Sequence, residues 1–229
     1  MTRPHIICHM VSSIDGRLLP GRWALDEAVV LDHYDAAAEN LHAEGWIVGR
    51  ETMADYVTDT GVAAPRQEPG LRADRIRDRG GRSLAIAFDR SGRLDPVSGA
   101  LEDEHLVLVL SERVSDTHVA MLAARGVSVV FAGPDGDDIA GALTRIGAAF
   151  GVTRLMLQGG GRLNAAFLAA NVIDAFSTLV LPVIDAERGI PGIVDHPGPI
   201  VPRQLELVSV EALADGVVWM RHRVAGRAQ

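Results

Sequence analysis

The sequence predicts an α/β fold with a mostly parallel central sheet, completed near the C-terminus by antiparallel strands. Three observations carry this prediction. Short β-rich runs alternate with helical stretches through the first two thirds of the chain. Two of those runs end in glycine immediately before a helix, at Gly49 and at Gly159-Gly160-Gly161, as strand ends do in open α/β sheets. The last third instead carries long apolar runs, two of them joined across Asp215-Gly216, a hairpin signal.

The elements follow in order. Residues 5–12 alternate apolar with small or polar side chains and read as the first strand. Residues 26–42 have helical spacing, alanines in the body and Asp26 as the N-cap. Trp46, Ile47 and Val48 form a short buried strand that runs into Gly49 and a helical turn. Residues 58–82 are rich in Pro, Gly, Arg and Asp and read as a long excursion with one helical piece. Residues 83–88 and 105–110 are apolar enough for central strands. Residues 116–124 are a helix and 127–131 a strand. Residues 137–150 are amphipathic, with Ile139, Leu143, Ile146 and Phe150 on one face. Residues 154–157 form a strand before the glycine triplet, and a helix follows to about Ala170. Residues 176–183, 204–210 and 217–224 read as long antiparallel strands, with a Gly- and Pro-bearing loop over 184–203. With no internal repeat or linker, a single domain over 1–229 is expected.

Composition excludes several kinds of chemistry. The chain has 229 residues, 48% hydrophobic and 23% charged, which is enough to bury a core. A net charge of −8 leaves no basic surplus for phosphate backbones, so nucleic-acid and anionic-membrane partners are not expected. The sequence contains no lysine, which rules out Schiff-base and P-loop lysines; a side-chain cation on phosphate must be arginine. The single cysteine, Cys8, permits no intrachain disulfide and no thiolate-built zinc site, and it reads as a small buried hydrophobe. His42-Ala43-Glu44 looks like the His-x-Glu of zinc deaminases, but no Cys-x-x-Cys follows, so no metal is expected. His5 and His9 read as strand residues. The first ten residues lack a long apolar segment, and a cytoplasmic protein without a membrane span is expected.

Three segments offer a ligand site. At Gly159-Gly160-Gly161-Arg162-Leu163, glycines let the backbone approach a ligand while the following helix points its free N–H groups outward. That arrangement suits a diphosphate, and it equally suits a tight strand-to-helix turn. At Val48-Gly49-Arg50-Glu51-Thr52, a strand again ends at a helix start with an arginine and a hydroxyl, either for phosphate or as an ordinary first turn. At Val11-Ser12-Ser13-Ile14-Asp15-Gly16, the first strand gives way to small polar residues and an Asp-Gly turn.

Taken together, these segments resemble the reductase domain of the bifunctional riboflavin-biosynthesis deaminase-reductases and their single-domain relatives. Ser13-Ile14-Asp15-Gly16 matches that family's Ser-Leu-Asp-Gly type turn, Trp23 its following Trp, Val48 to Thr52 its Val-Gly-Arg-x-Thr, and Gly159 to Leu168 its glycine triplet with x-Leu-Asn-x-x-Phe-Leu. The resemblance implies a dihydrofolate-reductase-like three-layer fold, NADPH as cofactor and hydride transfer to a C=N or C=O carbon of a small substrate. It makes Val11, Trp23, Gly49, Arg50, Thr52, Gly159, Gly160, Gly161, Arg162 and Leu163 cofactor contacts. Arg90, in Phe88-Asp89-Arg90-Ser91, is either the cation for a 2′-phosphate or a solvated loop arginine. Asp15 and Ser13 become the catalytic candidates, with Asp15 either facing substrate or only fixing its turn. Ser12, Arg22, His42 and Gln158 become substrate candidates, and a homodimer is expected.

The sequence also departs from the family. The family's Asp-Asp-Pro-x-Leu-Thr-x-Arg stretch is replaced by Ala54-Asp55-Tyr56-Val57-Thr58-Asp59; its helix arginine by His42; and its glutamate before the triplet by Gln158. The cofactor half matches and the substrate half does not. Two other readings stand beside this one. A pterin or folate reductase would need an acid on the first helix, for which Glu27, Asp32 and Asp35 are the candidates; a dinucleotide-binding protein without turnover would need none.

Overall fold

The computed structural model describes residues 2–18, 20–195, 198–199 and 201–226. Its elements, in chain order, are β1 (His5–Ser12), α1 (Glu27–Glu39), β2 (Gly45–Gly49), α2 (Arg50–Met53), β3 (Leu84–Phe88), β4 (Ala100–Leu101), β5 (Glu104–Leu110) and α3 (Asp116–Ala124). Then come β6 (Ser128–Phe131), α4 (Ile139–Phe150), β7 (Arg154–Leu157), α5 (Gly161–Ala169), β8 (Ala175–Val180), β9 (Leu205–Ala212) and β10 (Val218–Val224). The chain clusters into two compact units. One is built from Glu44–Leu155 and the first residues, the other from His5–Ala43 and the chain from Met156 onward.

In the first unit, β2 pairs parallel with β3, β3 with β5 and β5 with β6, while β4 makes a short antiparallel pair with β5. Every side chain of β3 is buried, as its unbroken Leu-Ala-Ile-Ala-Phe run predicts for a parallel strand covered on both faces. Leu106, Leu108, Leu122, Val129 and Phe131 centre the core. The excursion over 58–82 contains no helix, which corrects that expectation. Its 74–77 stretch lies along β6 instead: Arg75 bridges Val129, the Phe131 amide donates to Asp74, and the Arg77 amide donates to Ser128 Oγ. Its Pro and Gly residues keep it extended, and its backbone satisfies an edge strand that would otherwise lie open.

In the second unit, β1 pairs parallel with β8, and β8, β10 and β9 continue antiparallel. The predicted run over 176–183 pairs antiparallel with β10 as expected, with one correction to its length and one partner added. The strand ends at Val180, and its pairing with β1 is parallel because the long 13–174 connection returns the chain in the same direction. Asp26 caps α1 as predicted, accepting from the Ala28 amide. Val30 and Ala37 of α1 and Leu41 just after it pack with Ile7, Leu179 and Trp219. The β9–β10 turn falls at Asp215-Gly216, both with positive φ. Between β8 and β9 the chain has no regular element among its described residues; 196, 197 and 200 of the predicted 184–203 loop lie outside them.

Candidate functional site

The glycine triplet closes β7 and opens α5. Gly160 is the N-cap of α5 and supplies no side-chain cap. The Leu163 and Asn164 amides turn back to the Gly160 carbonyl, while those of Gly161 and Arg162 meet no acceptor among the described residues. Arg162 is exposed in the same first turn. The three glycines are not equivalent. A Cβ at Gly159, where φ is +93°, would lie 2.9 Å from Met10 Cε, and one at Gly161 would lie 2.4 Å from the Gly192 carbonyl oxygen. A Cβ at Gly160 would meet nothing within 4 Å. The left-handed backbone therefore favours glycine at 159 and packing against backbone demands it at 161, while 160 faces open space, beside free amides at the positive end of a helix dipole.

The turn after β1 is held by its own side chains. Ser13 Oγ donates to Asp15 Oδ1 at 2.7 Å and accepts from the Arg17 amide at 2.9 Å. Asp15 also accepts from the Asp185 and Ala186 amides, each at 3.0 Å. The Ser13 hydroxyl and these amides hold the Asp15 carboxyl at a pKa of about 2, so it is ionised at neutral pH. Asp15 is thus a tethered carboxylate with no proton to give, and the Ser13 hydroxyl is occupied at both ends. Trp23 is only 4% exposed and donates through Nε1 to Asp185 Oδ2 at 2.7 Å. Arg22 pairs with Asp185 and Glu187. Val11 is half-buried against the α1 core, and Ser12 is buried on the opposite face, where it lines a largely apolar cavity of about 450 Å³ with Thr178, Met220, His222 and Arg203. Gln158 is half-buried at the end of β7.

Tyr34 of α1 stacks on His9, and the Tyr34 carbonyl lies 3.1 Å from His9 Nε2, which fixes the helix against β1. His42 lies three residues past the end of α1, exposed and with a left-handed φ. Glu27, Asp32 and Asp35 are all exposed on α1, so none is held inward as a pterin-binding acid would be. Cys8 is fully buried, and burial pushes its thiol far above the usual range; the buried ring of His9 sits between Ser177 Oγ and Tyr34, and burial lowers its pKa.

In the first unit, α2 starts at Gly49 and spans four residues. Arg50 Nη1 donates to Asp59 Oδ2, and Arg93 Nε reaches the other oxygen of that carboxylate at 3.2 Å. Thr52 is half-buried in the same turn. After β3, Asp89 is buried and accepts from the Arg93 and Leu94 amides, although burial raises its pKa. The next residue, Arg90, lines a cavity of about 220 Å³ together with Arg66, Arg113, Ser91, Ser111 and Asp135. Arg90 Nε donates to the Asp135 carbonyl at 2.7 Å and Arg113 Nε to its carboxylate at 3.0 Å. Three arginines and one aspartate line the cavity, and only Arg113 reaches that carboxylate, which leaves the cavity electropositive. Arg66 and Arg113 were not singled out in the sequence. They lie on the excursion and after β5, and the bridge between Arg66 and Val114, with the Gln67 amide donating to the Arg113 carbonyl, brings them together.

Fold and site together define an α/β protein with a glycine-rich, uncapped helix start of the kind that takes phosphorylated cofactors. The chain belongs to the RibD C-terminal domain family, which it matches over residues 4–219. It is 27% identical over 198 residues to the 2,5-diamino-6-ribosylamino-4(3H)-pyrimidinone 5′-phosphate reductase of Methanothermobacter thermautotrophicus, covering 86% of each chain. It is 24% identical over 203 residues to the reductase of the same name from Aquifex aeolicus, covering 86% of this chain and 85% of the other. Among solved structures, it superposes on a pyrimidine reductase-like protein of Corynebacterium diphtheriae with a TM-score of 0.68 at 16% identity, covering 98% of this chain and 93% of that one.

Proposed function

We propose that this protein is an NADPH-dependent reductase that delivers hydride to a C=N or C=O carbon of a small, pyrimidine-related substrate. The observation that carries this reading is the open space at Gly160. Backbone conformation accounts for Gly159 and packing for Gly161 but neither for this one, whereas a diphosphate lying against the Gly161 and Arg162 amides accounts for it. Family membership and the names of the two reductases agree with it.

Each part of the chain then has a task. The start of α5, from Gly159 to Leu163, holds diphosphate, with Arg162 as its nearby cation. Arg90, Arg113 and Arg66 take the 2′-phosphate, which selects NADPH over NADH. Gly49, Arg50 and Thr52 are further cofactor contacts, with Arg50 shared with Asp59. Trp23 acts by packing more than by direct stacking, since so little of it is exposed. When bound, the nicotinamide supplies the hydride. Asp15 orients the turn that presents Ser12, and with its low pKa it leaves the proton to another donor, such as water. Gln158 offers a neutral hydrogen-bonding group to the substrate.

The proposed working form is a cytoplasmic homodimer. β9 is an edge strand with Leu205, Leu207, Val208 and Val210 between 39% and 61% exposed, an apolar edge that a second copy would cover. Sedimentation equilibrium should read twice the 24.4 kDa chain mass, and a monomer at micromolar concentration would remove this part. The cofactor assignment is tested by calorimetric titration with NADPH and NADH. Micromolar binding of NADPH is expected, with NADH about tenfold weaker or worse, as loss of a charge-assisted phosphate pair predicts. Equal binding would remove the arginine cavity from the site, and no binding of either would remove the reductase reading.

A further inference from the structure

Residues 183–195 carry no helix or strand and are mostly half-buried or exposed, yet they are pinned along their whole length. At one end they serve the turn after β1. The Ile14 amide donates to the Val183 carbonyl at 2.9 Å, and Asp15 receives the Asp185 and Ala186 amides. Arg17 Nη1 reaches the Ile190 carbonyl at 2.8 Å, the Leu18 amide reaches that of Pro191 at 2.9 Å, and Arg17 bridges Gly192. At the other end they serve the start of α5. Asn164 Nδ2 donates to the Ile193 carbonyl at 2.8 Å, and the Asp195 amide donates to the Gly161 carbonyl at 3.1 Å.

Two details show that these bonds fix a geometry and are more than surface decoration. Asn164 is completely buried, on the first turns of a helix where an apolar residue would cost less, and its amide group bonds the segment. Ala186 holds a left-handed φ of 56° at the point where its amide meets Asp15, a conformation that a non-glycine residue keeps only when its surroundings impose it. Burial contributes little here. The segment is ordered by hydrogen bonds, and those bonds go to two separate places.

We propose that 183–195 is a coupling strap that makes the order of the 13–18 turn and the order of the glycine-triplet helix start one equilibrium, with Asp15 and Asn164 as positioning residues at its two ends. A ligand that settles the α5 start also settles the turn that presents Ser12, because the strap cannot satisfy one partner while displaced from the other. The coupling itself is a property of the chain; its use in ordering substrate-side and cofactor-side groups together rests on the function proposed above.

Amide exchange measured residue by residue by NMR on the ligand-free protein tests the strap. Asp15→Asn puts an amide donor against backbone donors at an exposed position, and this variant is expected to fold. Protection at Asp185 and Ala186 should fall about tenfold, as loss of a charged acceptor predicts, and protection at Asp195 should fall with it, while the β8 and β10 amides hold. A fall confined to 185 and 186 would overturn the proposal. Asn164→Ala should produce the reciprocal fall at 185 and 186; if that variant does not fold, Asp15→Asn decides alone. NADPH added to the wild-type protein should slow exchange at Asp195, Asp185 and Ala186 together. Slowing at Asp195 alone sinks the strap. Coupled exchange in the variants without any NADPH binding leaves the strap standing and removes the cofactor reading.

Discussion

The two helix starts that follow glycine, at α2 and at α5, look alike in sequence and differ in what the structure has already done with them. Both open without a side-chain cap. At α5, the nine-residue helix leaves two amides free and one glycine facing open space, and its arginine, Arg162, is exposed. At α2, the helix is a single turn, and its arginine is bound to Asp59 and to Glu51. A nine-residue helix carries an appreciable dipole, and a four-residue one little. One start is preorganised for an anion; the other can contribute its charge only by giving up a contact it already has. Most of the affinity for a diphosphate should therefore reside at α5.

Gly160→Asp breaks the comparison at its strongest point, with the largest expected effect. An aspartate Cβ fits the space, and the new carboxylate would sit at the N-cap, where it should stabilise the helix by roughly a few tenths of a kcal/mol. It would also face the diphosphate, and two unit charges at ~4 Å repel by about 4 kcal/mol at an effective dielectric of ~20. NADPH affinity should fall by about a hundredfold or more while the unfolding temperature stays level or rises. The opposite signs matter, because a merely damaged fold would lower both. Calorimetry together with thermal unfolding reads them, and an unchanged dissociation constant would mean that Gly160 faces no phosphate.

The sequence carried the strands, the caps and the glycine junctions well, because each rests on local chemistry. Asp26 caps α1, the fully apolar 84–88 run is a buried strand, and Asp215-Gly216 supplies the positive φ values of a hairpin turn. What it did not carry depends on contacts far apart in the chain. The 58–82 excursion has no periodicity of its own, since its conformation is set by bridges to Leu94, Val114 and Val129, so its Pro, Gly and Arg content gave no hint of an edge strap. The same holds for the arginine cavity: Arg90 was legible from its motif, whereas Arg66 and Arg113 reach it from segments 24 residues before and 23 after. Asp15 shows the reverse limit. A carboxylate in a motif reads as chemistry, and only its three hydrogen bonds reveal how much of its capacity the turn consumes.

A smaller effect sharpens the other side of the comparison. Asp59 accepts from Arg50, Arg93 and the Gly61 amide, and those contacts lower its pKa, the Gly61 hydrogen bond first among them. Its folded-state pKa lies below the ordinary 3.8, so its stabilising contribution is present above that value and disappears as pH falls through the lowered one. Asp59→Asn removes the charge at every pH. The unfolding temperature should drop modestly at neutral pH and converge on that of the parent in acid, where the parent's own carboxylate is protonated. Arg50, released from its competitor, should then bind cofactor phosphate more freely, raising NADPH affinity by roughly threefold, the range a partly exposed ion pair commands. Lower stability with no gain in affinity would assign Arg50 to holding the excursion alone and take it out of the cofactor site. Glycine at 49 would then be explained by the turn, and the α5 start would be left as the principal phosphate site.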